Sequence, residues 1–136
     1  MLLQVLSLNR PNGANSLSRG LARQLNESLY QLGKDEELRV LIIRSVVPGI
    51  FCAGADLKER ATMHEKEIPP FVAKLRSIGT AIHDFPMPTI AAIDGAAIGG
   101  GLEYALAADL RVCASNAKLG LVETKLAVIP GAGLNH

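Results

Sequence analysis

The stretch AAIDGAAIGGGLEYALAADLRV, Ala91 to Val112, sets three consecutive glycines, Gly99 to Gly101, at the mouth of a helical run, with a lone carboxylate, Glu103, one turn further on. Glycine costs about 1 kcal/mol relative to alanine inside a helix, so their placement asks for a reason. A helix N-terminus carries unpaired N–H groups and roughly half a positive charge. Glycine lets another group approach that backbone with no Cβ in the way. Such a mouth suits a developing negative charge. The chain contains neither G-x-x-x-x-G-K-[ST] nor a G-x-G-x-x-G that opens a helix, so the phosphate motifs are excluded. The anion it suits is an oxyanion on a carbonyl.

One donor rarely makes an oxyanion hole, and FCAGAD supplies a second candidate, Gly54 followed by Ala55. A carbonyl held between the N–H groups of Ala55 and Gly100 would be polarised, and losing one such donor costs about 3 to 4 kcal/mol of transition-state stabilisation. Glu103 lies three residues after Gly100, so one helical turn brings its side chain near the same mouth. Its neighbours Ile98, Leu102, Ala105, Leu106 and Ala107 are small or apolar, and a carboxylate there needs a purpose. Glu123, in GLVETKL, sits on a loop after a strand that could return to the same side. Two carboxylates beside a polarised carbonyl can handle a water and a proton. The glycines would serve equally as packing points between helix and strand, and the residues alone leave both readings open.

The elements that must position these groups alternate in type. Leu2 to Leu8 reads as a short strand, and NRPNGANS, Asn9 to Ser16, is dense in turn formers. Leu21, Leu25, Leu29 and Leu32 recur at helical spacing between Ser18 and Leu32. Val40 to Ile43 suits a buried strand, and the loop RSVVPGIFCAGAD follows, broken by Pro48, Gly49 and Gly54. Phe71, Leu75, Ile78, Ile82 and Phe85 predict a helix over Pro70 to Phe85, closed by the prolines of PMPT. Thr89 to Ile93 reads as a strand, Asp94-Gly95 as a turn, Gly101 to Ala108 as a helix and Leu110 to Cys113 as a strand. The remainder offers short apolar pieces and loops. Strands alternating with helices predict an α/β layered fold.

Composition narrows the classes further. The 136 residues suffice for one domain, and 14 Lys and Arg nearly balance 13 Asp and Glu, so no bulk charge argues for nucleic acid or membrane. Apolar runs are too short to span a bilayer. Cys52 and Cys113 are too far apart for a local metal or redox motif, which predicts free thiols in a reducing compartment. His64, His83 and His136 lack ligand spacing, so no metal is expected.

In order along the chain, NRPNGANSLS, LIIRSVVPGIFCAGADLKER, PTIAAIDGAAIGGGLEYALAADLRV and LGLVETKLAVIPGAG resemble the crotonase superfamily, the enoyl-CoA hydratases/isomerases, from about Leu6 to Gly133. The wording is nearest a mitochondrial hydratase branch. The resemblance implies a crotonase-like α/β fold (the ClpP/crotonase type), a spiral core of repeated ββα units. It implies Ala55 and Gly100 as oxyanion-hole donors, Ala55, Asp56, Leu57 and Lys58 at the adenine end of a coenzyme A site, and Glu103 and Glu123 as the water-handling pair. The reaction implied is syn addition of water to a 2-enoyl-CoA thioester, with no cofactor, coenzyme A being part of the substrate. Residues 1–136 are expected to form a single truncated domain, because the family continues past IPGAG with a helical half that walls the pocket and builds trimers or hexamers. An apolar face is therefore expected to lie uncovered, and little activity is expected of this chain by itself. Mitochondrial localisation is implied by resemblance, although MLLQVLSLNR carries no visible targeting signal.

Two competing expectations belong to other classes. One is a non-catalytic fragment, or a partner that inserts into full-length trimers. The other is an RNA-binding module, since relatives are reported to bind RNA through basic residues on the first helix. Here Arg19 and Arg23 are followed in step by Glu27, a plus, plus, minus face that reads as solvated, so RNA is not an expected partner.

Overall fold

The structure, a computed structural model, describes residues 2–121 and Ala132. Strands β1 (Leu3–Leu8), β2 (Val40–Ser45), β4 (Thr89–Ile93) and β6 (Leu110–Cys113) form a parallel sheet in the order β1-β2-β4-β6. Strands β3 (Ile50–Cys52), β5 (Ala96–Ile98) and β7 (Leu119–Gly120) form a second parallel sheet in that order. From β2 onward successive strands alternate between the two sheets, and helices lie in the connections β1–β2, β3–β4 and β5–β6: α1 (Arg19–Gly33), α2 (Leu57–Arg60), α3 (Ile68–His83) and α4 (Gly100–Ala107). The result is the expected spiral of strand, strand and helix.

The second sheet is a correction to the reading above. The segment RSVVPGIFCAGAD is a loop only in part, since Ile50–Cys52 pairs with Ala96–Ile98. Strands of two or three residues are too short to show a period, and their pairing is long-range. Helix α3 begins at Ile68 rather than Pro70, because proline is tolerated where a helix's first N–H groups lack partners anyway.

Local chemistry explains the helices. The Ser18 hydroxyl accepts the Leu21 N–H at 3.1 Å and caps α1, which buries Leu21, Ala22, Leu25 and Leu29. Helix α3 buries Leu75, Ile78, Gly79 and Ile82 on the same core. Past the C-terminus of α4, the Arg111 guanidinium donates to the carbonyls of Ala105, Leu106 and Ala108 at 3.2, 3.3 and 2.7 Å. Asp109 in turn accepts the Thr89 N–H at 2.8 Å and ties the end of α4 to β4.

The two faces of the larger sheet differ. Leu8, Leu41, Ile43, Ala91 and Ile93 lie in the core. Strand alternation and register place Leu3, Val5, Val40, Ile42, Ile90, Ala92, Leu110 and Val112 on the opposite face. There Leu3, Val5, Leu110 and Val112 are 42, 45, 59 and 63% exposed. Parallel sheets are ordinarily covered on both faces.

Candidate active site

The glycine run and the FCAGAD loop meet where β3 and β5 end. Gly54 takes φ +85°, a region that favours glycine. A Cβ there would lie 2.7 Å from the Ile98 carbonyl oxygen and 3.4 Å from the Gly100 nitrogen. Gly101 packs against Cys52 so closely that a Cβ would collide with the Cys52 carbonyl. Close packing is not confined to Gly101, since a Cβ on Gly100 would lie 2.9 Å from Leu17 Cδ1. Gly100 opens α4, and neither its N–H nor that of Ala55 donates to an acceptor among the described residues.

Ala55 is aimed by the other end of its own peptide. Leu17 N–H donates to the Gly54 carbonyl at 2.7 Å. In a planar trans peptide the Ala55 N–H points opposite to that carbonyl, away from Leu17. The turn that supplies Leu17 is fixed in place by buried polar bonds. Asn15, fully buried at φ +54°, donates from its side chain to Ser45 Oγ at 2.8 Å and to the Phe51 carbonyl at 3.0 Å. Its Oδ1 accepts the Arg10 N–H at 2.7 Å. The Ala14 carbonyl accepts the Ala53 N–H at 3.1 Å, one residue before Gly54.

Asp56 follows Ala55 and is fastened from two sides. One oxygen accepts the Glu59 N–H at 3.0 Å, capping α2, and the other pairs with the Arg10 guanidinium at 2.8 Å. The Glu59 N–H foremost, and Arg10 after it, hold the Asp56 carboxyl below its usual pKa. Arg10 also donates to Ser16 Oγ and the Ser16 carbonyl at 2.7 and 3.1 Å. Leu57 and Lys58 are exposed on the first turn of α2.

Glu103 is 2% exposed. The Ala132 N–H donates to both its oxygens, at 3.0 and 3.1 Å. A methyl group on Gly100 would stand 3.7 Å from Glu103 Oε2, so carboxylate and helix mouth adjoin as the spacing predicted. Next to it the Tyr104 hydroxyl donates to the Leu75 carbonyl at 2.8 Å and locks α4 to α3. Burial, with Cys52 and Glu103 adding to it, raises the Tyr104 pKa well above its ordinary value. Burial also pushes the Cys52 thiol up to about 11, while the Gly54 backbone N–H pulls the other way. Glu123 and His136 lie outside the described residues.

Sequence reasoning missed Arg10 and Asn15, reading NRPNGANS only as turn formers. The available signal was Asn15 itself, since asparagine is enriched in the left-handed region. Elsewhere, a cleft of about 550 Å³ between α1 and the start of α3 is lined by Arg19, Arg23, Lys66, Glu67, Phe71 and Lys74, among others. It lies apart from the glycine mouth. Arg19 pairs there with Glu67 at 3.3 Å. Lys66 and Lys74 are cations that helix-face counting along α1 does not reveal. Cys52 and Cys113 are free thiols, buried and exposed respectively. Among the described residues no group of His, Cys, Asp and Glu has the arrangement of a metal site, and no helix is long and apolar enough to cross a membrane.

Residues 3–136 match the family described as enoyl-CoA hydratase/isomerase. The chain is 61% identical over 129 residues to the mitochondrial methylglutaconyl-CoA hydratase of Mus musculus, covering 95% of this chain and 41% of that protein. It is 57% identical to the mitochondrial enoyl-CoA hydratase domain-containing protein 2 of Bos taurus, covering 93% of this chain and 43% of that one. The crystal structure of an enoyl-CoA hydratase from Bacillus anthracis superposes with a TM-score of 0.93 at 46% identity, over 97% of this chain and 51% of that chain. The chain thus spans about two fifths of the length of these curated relatives and about half of that crystallised chain.

Proposed function

This chain belongs to the enoyl-CoA hydratase/isomerase family, and on that premise we propose that it carries a hydratase site for a 2-enoyl-CoA thioester. The observation that carries the reading is the meeting of the Gly54–Ala55 peptide, the Gly100 N–H and the buried Glu103 carboxylate at one point. The thioester carbonyl lies between the N–H groups of Ala55 and Gly100, which stabilise the enolate oxygen. Glu103 takes a proton from water as the water oxygen bonds to the β-carbon. Glu123 gives a proton to the α-carbon as the enolate collapses, and a proton passing from Glu103 to Glu123 restores the pair. Coenzyme A enters as part of the substrate, with Ala55 to Lys58 beside its adenine. Resemblance to the mitochondrial hydratases assigns the chain to the mitochondrion, and the methylglutaconyl-CoA hydratase likeness makes a branched, dicarboxylic enoyl group the acyl chain to test first.

The test is hydration of crotonyl-CoA and 3-methylglutaconyl-CoA by a monodisperse preparation. Glu103→Gln is expected to lower kcat at least about 100-fold, the scale of lost acid–base catalysis, while a saturated thioester still binds. A wild-type chain that binds no thioester would sink the proposal.

A second reading is a non-catalytic partner within assemblies of full-length relatives. The apolar outer face of the larger sheet favours it, because a face of that kind marks a contact surface. Sedimentation of the chain mixed with a full-length relative decides between solitary and incorporated forms.

A further inference from the structure

We propose that Arg10 is a positioning residue for the Ala55 N–H, acting through its ion pair with Asp56 and its bonds to Ser16. The inference rests on the hydratase-site reading above and adds to it the device that aims one oxyanion donor. Ala55 contributes only a backbone N–H, so its direction is set by the peptides on either side. On the near side, Leu17 N–H holds the Gly54 carbonyl at 2.7 Å, which fixes the plane containing the Ala55 N–H. On the far side, Asp56 is held by Arg10 at 2.8 Å.

Arg10 joins the two. One of its terminal nitrogens, Nη1, bonds Ser16, the residue before Leu17, through both hydroxyl and carbonyl. The other, Nη2, bonds Asp56, the residue after Ala55. A planar guanidinium with fixed donor directions therefore sets the separation of the two segments that bracket the donor. Ion pairs at surfaces contribute little to stability. This one has a carboxylate side chain only 10% exposed and a guanidinium bonded to two segments, so its effect falls on the geometry of the loop.

Lysine retains the charge but is a point donor without the fork. It can reach Asp56 or Ser16 without fixing the distance between them. Methionine keeps much of the stem and removes all three guanidinium bonds. Asp56→Asn keeps a residue well suited to capping α2 while deleting the charge that Arg10 grips.

The experiment uses the full chain with butyryl-CoA carrying ¹³C at the thioester carbonyl, a saturated ligand that cannot be hydrated. Isotope-edited infrared difference spectra read the polarisation of that carbonyl. The wild type is expected to move the band to lower wavenumber. Arg10→Met is expected to lose most of that shift while binding the ligand within about threefold of wild type, Asp56→Asn to lose most of it too, and Arg10→Lys to retain part. A full shift in folded Arg10→Met overturns the inference and leaves the site reading standing. Should Arg10→Met fail to fold, a full shift in Asp56→Asn overturns it equally. A wild-type chain that binds the ligand without shifting the band overturns the oxyanion reading and this inference with it. If the wild type binds no thioester, the hydratase reading fails separately, and the Ala55 amide in ¹H–¹⁵N spectra of the ligand-free chain still decides the geometry. An Ala55 cross-peak unmoved by Arg10→Met overturns the inference, and a displaced or broadened one, with peaks of α4 unmoved, supports it.

Discussion

The two N–H groups proposed to face the thioester carbonyl are presented in opposite ways. On the helix side, Gly100 is fixed by contact: Gly101 is pressed onto the Cys52 backbone, and α4 is tied at its far end by Arg111. On the loop side, Ala55 is fixed by hydrogen bonds drawn from the turn between Arg10 and Leu17. Contact between backbones leaves nothing to adjust short of separating β3 from α4. A set of side-chain bonds can be altered one at a time while the sheets stay paired. One N–H group is therefore set by the fold, and the other by particular side chains.

The largest effect is expected from Gly101→Ala. Its Cβ meets backbone rather than a movable side chain, and overpacking of this sort costs about 3 kcal/mol. Urea denaturation followed by circular dichroism reads it, and a midpoint equal to wild type would mean that α4 moves off β3 freely, which would break the comparison at its helix side. On the loop side, Asn15→Ala is expected to cost less, about 2 kcal/mol, with the fold retained. It takes a partner from the buried Ser45 hydroxyl and Phe51 carbonyl and from the half-buried Arg10 N–H and places alanine at positive φ. If Asn15→Ala unfolds the chain outright, the loop side is as integral to the fold as the helix side.

The smallest effect is a pH dependence at Asp56. Its carboxyl sits below 3.8 in the folded chain, through the Glu59 N–H first and Arg10 after it. A lowered folded pKa means that the unfolded chain binds the proton more readily. The stabilisation is therefore complete above the unfolded value near 3.8 and is lost as pH falls through the lower folded value. The stability difference between wild type and Asp56→Asn should narrow as pH drops from 5 toward 2. A difference that is constant across that range would remove the ionic part of the loop-side fastening.

Much of the helix side was legible in the sequence. A triple glycine at a helical mouth, with Glu103 among small apolar residues, reads locally because helix start, spacing and burial preference all act within a few residues. The loop side was legible only as Gly54-Ala55. Arg10 and Asn15 act across separations of 46 and 36 residues, from Arg10 to Asp56 and from Asn15 to Phe51, and no periodicity reports a bond of that kind. The short strands of the second sheet escaped for a related reason, since two or three residues cannot display alternation and only their partners make them strands.

The two faces of the larger sheet carry the same lesson. Val40 to Ile43 reads as a run that is apolar on both sides, and the sequence alone determined that both faces of the sheet carry apolar side chains. Which face α1, α3 and α4 close, and which is left bearing Leu3, Val5, Leu110 and Val112, was decided by the hand of the connections. By itself the sequence determined the three longer helices, the longer strands, the glycine mouth and the carboxylate beside it, because each depends on neighbours along the chain. The tertiary structure alone decided that Gly54 meets Gly100, that Leu17 sets the plane of the Ala55 peptide and that Arg10 reaches Asp56. Those contacts exist only once distant segments are brought within a few ångströms, and hydrogen bonds act over no greater distance.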